Sequence, residues 1–208
     1  CYESVDWLHR RGELVICLDE KPSIQALPRV LPTPGLAPGR IERREFEYER
    51  KGTVHCLVAF NVYDGTMWGG GLEKNDHDPF LWGLRQVEQR YAQARRIHLI
   101  LDNGGSHIAH DTQRYFARHP RLRVLYTPAR ASWLNQAELL LRAFTAKYLT
   151  RFDAQSRQHL IDHLTAGWRE YNQRFAHPFS WSWTRRAMYA WAEHKGYVIC
   201  SKTFATVH

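Results

Sequence analysis

Residues 13–21 read ELVICLDEK, and residues 96–107 read RIHLILDNGGSH. In the first, Leu14, Val15, Ile16, Cys17 and Leu18 form an unbroken apolar run; in the second, Ile97, Leu99, Ile100 and Leu101 do nearly the same. Short apolar runs rich in branched residues predict strands buried on both faces, and such strands lie in sheets covered by helices. Each run stops at an aspartate, Asp19 in one and Asp102 in the other. Sites in open α/β sheets form beyond the carboxyl ends of strands, so both carboxylates are expected at one end of a sheet.

The surrounding pattern fills in that sheet. Residues 53–63, TVHCLVAFNVY, are the strongest strand signal, and Asp64-Gly65 turns them into TMWGGGLEK as a hairpin. Residues 78–94 carry Phe80, Leu81, Leu84, Val87 and Tyr91 at helical spacing, with Asp78-Pro79 as the start. A helix over 110–120, a strand over 121–128, and helices over about 134–152 and 155–175 follow. Five prolines between 22 and 38 exclude helix and central strand there, so residues 22–52 read as an extended arm. Its basic end, with Arg40, Arg43, Arg44, Arg50 and Lys51 around Phe46 and Tyr48, is either a solvated edge strand or a DNA-contacting arm. The sum is an α/β fold, a mixed sheet flanked by helices with a proline-rich arm after the first strand.

With 208 residues and 44% hydrophobic residues the chain can bury one sizeable core. Lys and Arg number 29 against 21 Asp and Glu, a net charge of +8 that suits a polyanionic partner or a merely soluble basic protein. The four cysteines form no C-x-x-C pair, and Cys17 and Cys56 fall inside strand patterns, as reduced core thiols of a cytoplasmic protein do. No apolar run is long enough to span a membrane, and no signal peptide is visible. Because the chain begins with Cys rather than Met, it reads as a piece of something longer.

A third acid completes the chemistry. In residues 132–144, SWLNQAELLLRAF, Glu138 falls in the first turns of the predicted helix. Singly, each acid has an ordinary reading: Asp102 as an Asx-turn residue before Gly104-Gly105, Glu138 as a charge matched to the helix dipole, Asp19 as half of an ion pair. Together, three carboxylates without a Cys or His ligand cluster suit hard cations such as Mg²⁺. His107-x-x-His110 lacks a third soft ligand, so zinc is rejected. Ions of this class, in pairs, clamp the attacking and leaving oxygens of a phosphoryl displacement.

The blocks Asp19-Glu20-Lys21, Ile24-Gln25-Ala26-Leu27, Pro38-Gly39-Arg40, Lys51-Gly52-Thr53, Leu101-Asp102-Asn103 with His107, Ala117-Arg118-His119-Pro120, Tyr126-Thr127-Pro128 and Ala131 to Glu138 occur in that order. With them, and with Pro178-Phe179-x-Trp181, the chain resembles the catalytic domain of IS630-type transposases, relatives of the Tc1/mariner group in the DDE superfamily, from about residue 13 to 185. The 35 residues between Asp102 and Glu138 are close to that family's spacing. Two positions depart from its pattern: Pro28, where many relatives have an acid, and Leu139-Leu140-Leu141, where relatives often have an aromatic.

The resemblance implies an RNase H-like catalytic domain over 13–175, after a lead-in over 1–12 and before an aromatic tail over 176–208. It implies a two-metal-ion DNA transposase, an endonuclease that cuts the phosphodiester at transposon ends and transfers the 3′-hydroxyl into target DNA. Asp19, Asp102 and Glu138 would hold two Mg²⁺ ions, or Mn²⁺, with Asp19 bridging. The implied partners are double-stranded DNA, as terminal repeats and target, and a second copy on that DNA; the implied location is the bacterial cytoplasm at the nucleoid. Competing readings are a catalytically silent DNA-binding remnant and an RNase H-like nuclease. Around the triad, Lys21, Arg40 and Arg130 are expected phosphate contacts on charge alone. Asn103 and His107 either orient Asp102 or touch phosphate, and His107 has the further reading of a plain turn residue in a loop. Trp133 either stacks on a base or packs in the core, and Asn135 either caps the helix or touches DNA.

Overall fold

The computed structural model describes residues 1–31, 47–73, 79–129, 131–178 and 184–196. Five strands form one sheet: β1 Glu13–Gln25, β2 Thr53–Asn61, β3 Met67–Glu73, β4 Arg96–Leu101 and β5 Leu122–Tyr126, in the order β3-β2-β1-β4-β5. The first three run antiparallel in sequence order, while β4 and β5 lie parallel to β1. The mixed, helix-covered sheet is thus the one expected.

Alternation along the strands splits the core in two. On one face Ile16, Leu18, Leu57, Ile97, Leu99 and Leu101 pack against Phe80, Leu84 and Val87 of α2, Pro79–Arg90, with Tyr115 and Phe116 of α4, His110–Arg118, beside them. On the other, Val15, Cys17, Val58 and Phe60 meet Leu141 and Phe144 of α5, Gln136–Phe144, and Leu160, Leu164 and Trp168 of α6, Arg157–Arg174. A short helix α3, Gly105–Ile108, precedes α4. The triple glycine of β3 is explained by close packing: a Cβ on Gly69 would come within 2.2 Å of Trp168, and one on Gly70 within 2.5 Å of Trp82. The turn between β2 and β3 is held by Asp64, which accepts from Thr66 N at 2.8 Å and from Asn61 Nδ2 at 3.0 Å.

Three expectations change in detail. Asp19 does not end a strand: β1 continues to Gln25, and Asp19 lies opposite Val58 of β2. Pro22 is tolerated because the parallel neighbour β4 has already ended and the β2 pairing shifts register between Lys21 and Ile24, where Ser23 takes φ 56°. Beyond Gln25 the two legs of the arm stay bonded, Ala26 N to Gly52 O at 2.9 Å, Lys51 N to Ala26 O at 3.0 Å and Val30 N to Glu47 O at 3.2 Å. Residues 32–46 of that arm lie outside the described residues. The helix expected from residue 134 begins instead at Gln136, after a 3-10 turn at Ser132–Leu134, and passes into a π-helical turn at Thr145–Leu149.

The ends of the chain also carry structure. Helix α1, Val5–Arg10, buries Val5 and Leu8 against the sheet. In the aromatic tail, Arg185–His194 form α7, whose first backbone N–H donates to Glu3. Cys17 and Cys56 are free and buried, as expected. Among the described residues no helix is long and apolar enough to cross a membrane.

Candidate active site

Asp19, Asp102 and Glu138 line a single open cleft of about 610 Å³, together with Glu20, Lys21 and Ser132. Each acid reaches it from a different element. Asp19 sits on β1 just past the last β4 pair, Cys17 with Ile100, so its backbone has a strand partner only on the β2 side. Asp102 is the first residue after β4 and forms the Asx turn its sequence suggests, Gly104 N donating to Oδ1 at 3.0 Å. Glu138 stands in the first turn of α5.

The electrostatics set the three apart from ordinary surface acids. Burial, chiefly, and then the charges of Asp102 and Glu138 push the Asp19 carboxyl up from 3.8 to about 6, against the opposing pull of the Glu20 N–H on its Oδ1 at 2.8 Å and of His107. Glu138 Oε2 is buried with no hydrogen-bond partner, while its Oε1 lies 3.7 Å from Arg142 Nη2 one turn on. A buried carboxylate oxygen left unpaired is costly and marks a position where a cation is wanted. Among the described residues, however, no three acidic, His or Cys side chains stand together at ligand distances. Asp102 leans on His107 and Glu138 on Arg142, the spread that mutual repulsion among carboxylates favours.

His107 is not a loop residue. It is 3% exposed, lies within α3, and its ring sits 4.4 Å from that of Phe80. Its Nδ1 is 2.6 Å from Asp102 Oδ1 and 3.1 Å from the Asp102 carbonyl. Both neighbours are acceptors, so Nδ1 carries the proton and donates. Gly104 makes the approach possible: a Cβ there would stand 3.1 Å from Asp102 Oδ1 and 3.2 Å from His107 Nδ1. His107 therefore orients Asp102 rather than facing solvent.

Asn135 is 2% exposed and takes the capping role, accepting from Ala137 N at 3.2 Å and donating to the Leu18 carbonyl at 2.8 Å. With both ends of its amide spent inside the fold it offers no surface to DNA; it ties the helix of Glu138 to the strand of Asp19. Trp133 is 67% exposed, so the core reading of that residue fails. Asn103 is exposed, and its Nδ2 donates to the Thr127 carbonyl at 2.8 Å. Lys21 lines the cleft. Arg40 and Arg130 lie outside the described residues.

Sequence reasoning missed two participants. Tyr2 Oη donates to the Leu134 carbonyl at 2.6 Å, pinning the turn that precedes α5 from beneath. Ser106 Oγ donates to Glu20 Oε2 at 3.1 Å, fixing the acid next to Asp19 on the other face of β1. No motif announces either contact; the i, i+4 spacing of Glu138 and Arg142 alone was readable.

The fold has known counterparts. The chain is similar, at 34% identity over 64 residues, to the insertion element IS630 uncharacterized 39 kDa protein of Shigella sonnei, a stretch covering 31% of this chain and 19% of that protein. Its fold is similar to that of the Mos1 mariner paired end complex with Mn, with TM-score 0.52 and 17% identity over 83% of this chain and 58% of that one. The Mos1 strand transfer complex is similar to the same degree, with TM-score 0.53 and 18% identity over 83% and 55% of the two chains. The chain thus spans little more than half the length of those structures, and they share its RNase H-like fold. The family model of DDE superfamily endonucleases matches residues 15–161, a stretch that takes in all three acids of the cleft, and the chain belongs to that family.

Proposed function

We propose that this chain is the catalytic domain of an IS630-type DNA transposase, which cuts the phosphodiester at the ends of a mobile element and joins the freed 3′-hydroxyl to target DNA. The observation that carries the reading is the convergence of three acids on one cleft, with Asp19 pushed up to about 6 chiefly by burial and then by Asp102 and Glu138. An all-carboxylate oxygen set with a buried, unpaired Glu138 oxygen fits a hard divalent cation. Asp19, Asp102 and Glu138 would hold a pair of Mg²⁺ or Mn²⁺ ions, which when bound neutralise charge at the phosphorus and activate the attacking oxygen.

The chain's own residues supply position. The strand fixes Asp19, the Asx turn and His107 fix Asp102, and the Asn135 cap sets the first turn of α5 on which Glu138 is carried. In-line attack depends on that placement, because in such a reaction orientation carries much of the barrier. Lys21, at the cleft wall, is suited to a phosphate oxygen. Trp133, exposed on the turn before α5, is suited to stacking on a base. A paired-end complex is known for Mos1; by analogy two copies of this protein would hold two DNA ends, in the cytoplasm at the nucleoid.

The purified chain with MnCl₂ or MgCl₂ and a labelled duplex carrying the element's terminal repeat tests the reading. Cleavage and strand transfer are expected. Asp102→Asn should lower cleavage about a thousandfold, since a metal site supplies several kcal/mol and each 1.36 kcal/mol is tenfold. DNA binding without cleavage would support a silent remnant instead, and hydrolysis of an RNA–DNA hybrid would support a nuclease.

A further inference from the structure

Away from the acidic cleft, α2 and α4 enclose a second groove of about 610 Å³, lined by Leu81, Arg85, Asp111, Arg114, Tyr115, Arg118 and His119. The charges of this groove do not cancel. Asp111 is matched by Arg114, 3.3 Å away. Glu88 is taken up from three sides: Tyr115 Oη donates to it at 2.6 Å, His119 Nδ1 lies at 2.7 Å and Arg121 Nη2 at 3.6 Å. Arg121 is further occupied by the Ala92 and Glu88 carbonyls at 2.8 and 2.9 Å. Among the described residues that leaves Arg85 and Arg118, both exposed, with no acidic partner. Tyr115 and His119 lie ring on ring, centroids 3.9 Å apart and 9° from parallel, as a stiff wall between the cations.

We infer that this α2–α4 groove is a second DNA-binding surface that grips the phosphate backbone of a duplex without reading its sequence. The partner follows from the chemistry. Planar guanidiniums on a rigid helical scaffold match phosphate oxygens. Arg85 on α2 and Arg118 on α4 line the groove from its two helices, so each can meet a separate phosphate of one duplex. The groove also begins at the correct end. Asp111 lies in the first turn of α4, nine residues after Asp102, and Leu81 lies in the first turn of α2, so the cations descend from the catalytic end of the sheet along its outer face. Guanidinium contacts to phosphate oxygens hold a duplex without carrying sequence information, so a grip of this kind acts on the backbone of any sequence. The inference rests on DNA being the partner, and it assigns residues to grip that the cleavage chemistry does not use.

Salt dependence separates this from general basicity. Each lost phosphate contact lowers the slope of log K against log [salt] by about 0.9. With a 30-base-pair duplex of arbitrary sequence, EDTA present and KCl varied from 50 to 200 mM, fluorescence anisotropy of the chain carrying Arg85→Gln and Arg118→Gln should show a slope shallower by about 1.8. Across that range its affinity should fall roughly tenfold less than that of the unaltered chain. Each single variant should lose about half of this, and Arg85→Lys with Arg118→Lys should keep the original slope, because charge rather than fork geometry sets the count. An unchanged slope in the Gln pair, with an unchanged circular-dichroism melt, overturns the inference, as does absence of salt-dependent binding by the unaltered chain. Mn²⁺-dependent cleavage by the unaltered chain is scored separately, so failure of the groove and failure of the transposase reading give different results.

Discussion

Glu13 and Asp19 lie six positions apart on the same strand and the same side of it, yet their surroundings are opposite. Glu13, 3% exposed, accepts a hydrogen bond from His98 Nε2 at 2.7 Å and has Arg96 at 3.7 Å and Arg11 at 3.9 Å. The His98 hydrogen bond, above all, holds its carboxyl below the usual carboxylate range. Asp19 has burial and two further acids around it, and its carboxyl is pushed up to about 6. One end of β1 therefore stores a satisfied charge that holds the fold together. The other stores an unsatisfied one that a bound cation would relieve. Active sites are where such unfavourable groups persist, because function needs them and the rest of the fold sustains them.

The largest consequence for stability is at the acidic end. Asp19 titrates at about 6 in the folded chain against 3.8 ordinarily, so the folded state holds the proton more tightly. Stability of the metal-free chain should fall as pH rises from about 4 to about 6 and stay lower above that. Two units correspond to up to about 3 kcal/mol. Asp19→Asn should therefore stabilise the metal-free chain by up to that amount above pH 6 in urea unfolding, with the gain vanishing near pH 4, while abolishing cleavage. A destabilised Asp19→Asn would break the contrast.

Glu13→Gln should act in the opposite sense, costing about 2 kcal/mol through loss of a buried charge-assisted bond. The contribution of Glu13 is complete above pH 4.5, its ordinary value, and lost as pH falls through its lower folded value. The gap between this variant and the unaltered chain should thus close on acidification, where the gap for Asp19→Asn also closes but from the other side. A smaller effect is expected from Gly104→Ala. Its Cβ would press on both Asp102 Oδ1 and His107 Nδ1, so cleavage should drop about tenfold, as for other supports of a metal ligand, with DNA affinity unchanged. Equal losses in affinity and cleavage would show instead that the loop itself had collapsed.

The contrast also shows what the sequence could reveal. The two apolar runs were legible because each is short, branched and continuous, and the glutamate of the helix was legible because SWLNQAE precedes a plain helical repeat. The length of β1 was not, since Pro22 normally ends a strand; only the register shift beside Ser23 and the early end of β4 make it compatible. Asn135 had two readings, cap or contact, because one amide suits both; its burial and its bond to the Leu18 carbonyl decide for the cap. His107 looked like a turn residue because Phe80, which covers it, belongs to a helix 27 positions earlier. The arginine groove was invisible for the same reason, as Arg85 and Arg118 meet only once α2 and α4 are laid side by side on one sheet face.

The central claim, that the three acids of the cleft act as one cation site, is tested most directly by thermal unfolding at pH 7.5 with and without MnCl₂. The unaltered chain should melt at a higher temperature with Mn²⁺, while Asp19→Asn should start from a higher melting temperature and gain nothing from the ion. Asp102→Asn and Glu138→Gln should lose most of the gain. An equal Mn²⁺ response in all four proteins would contradict the account.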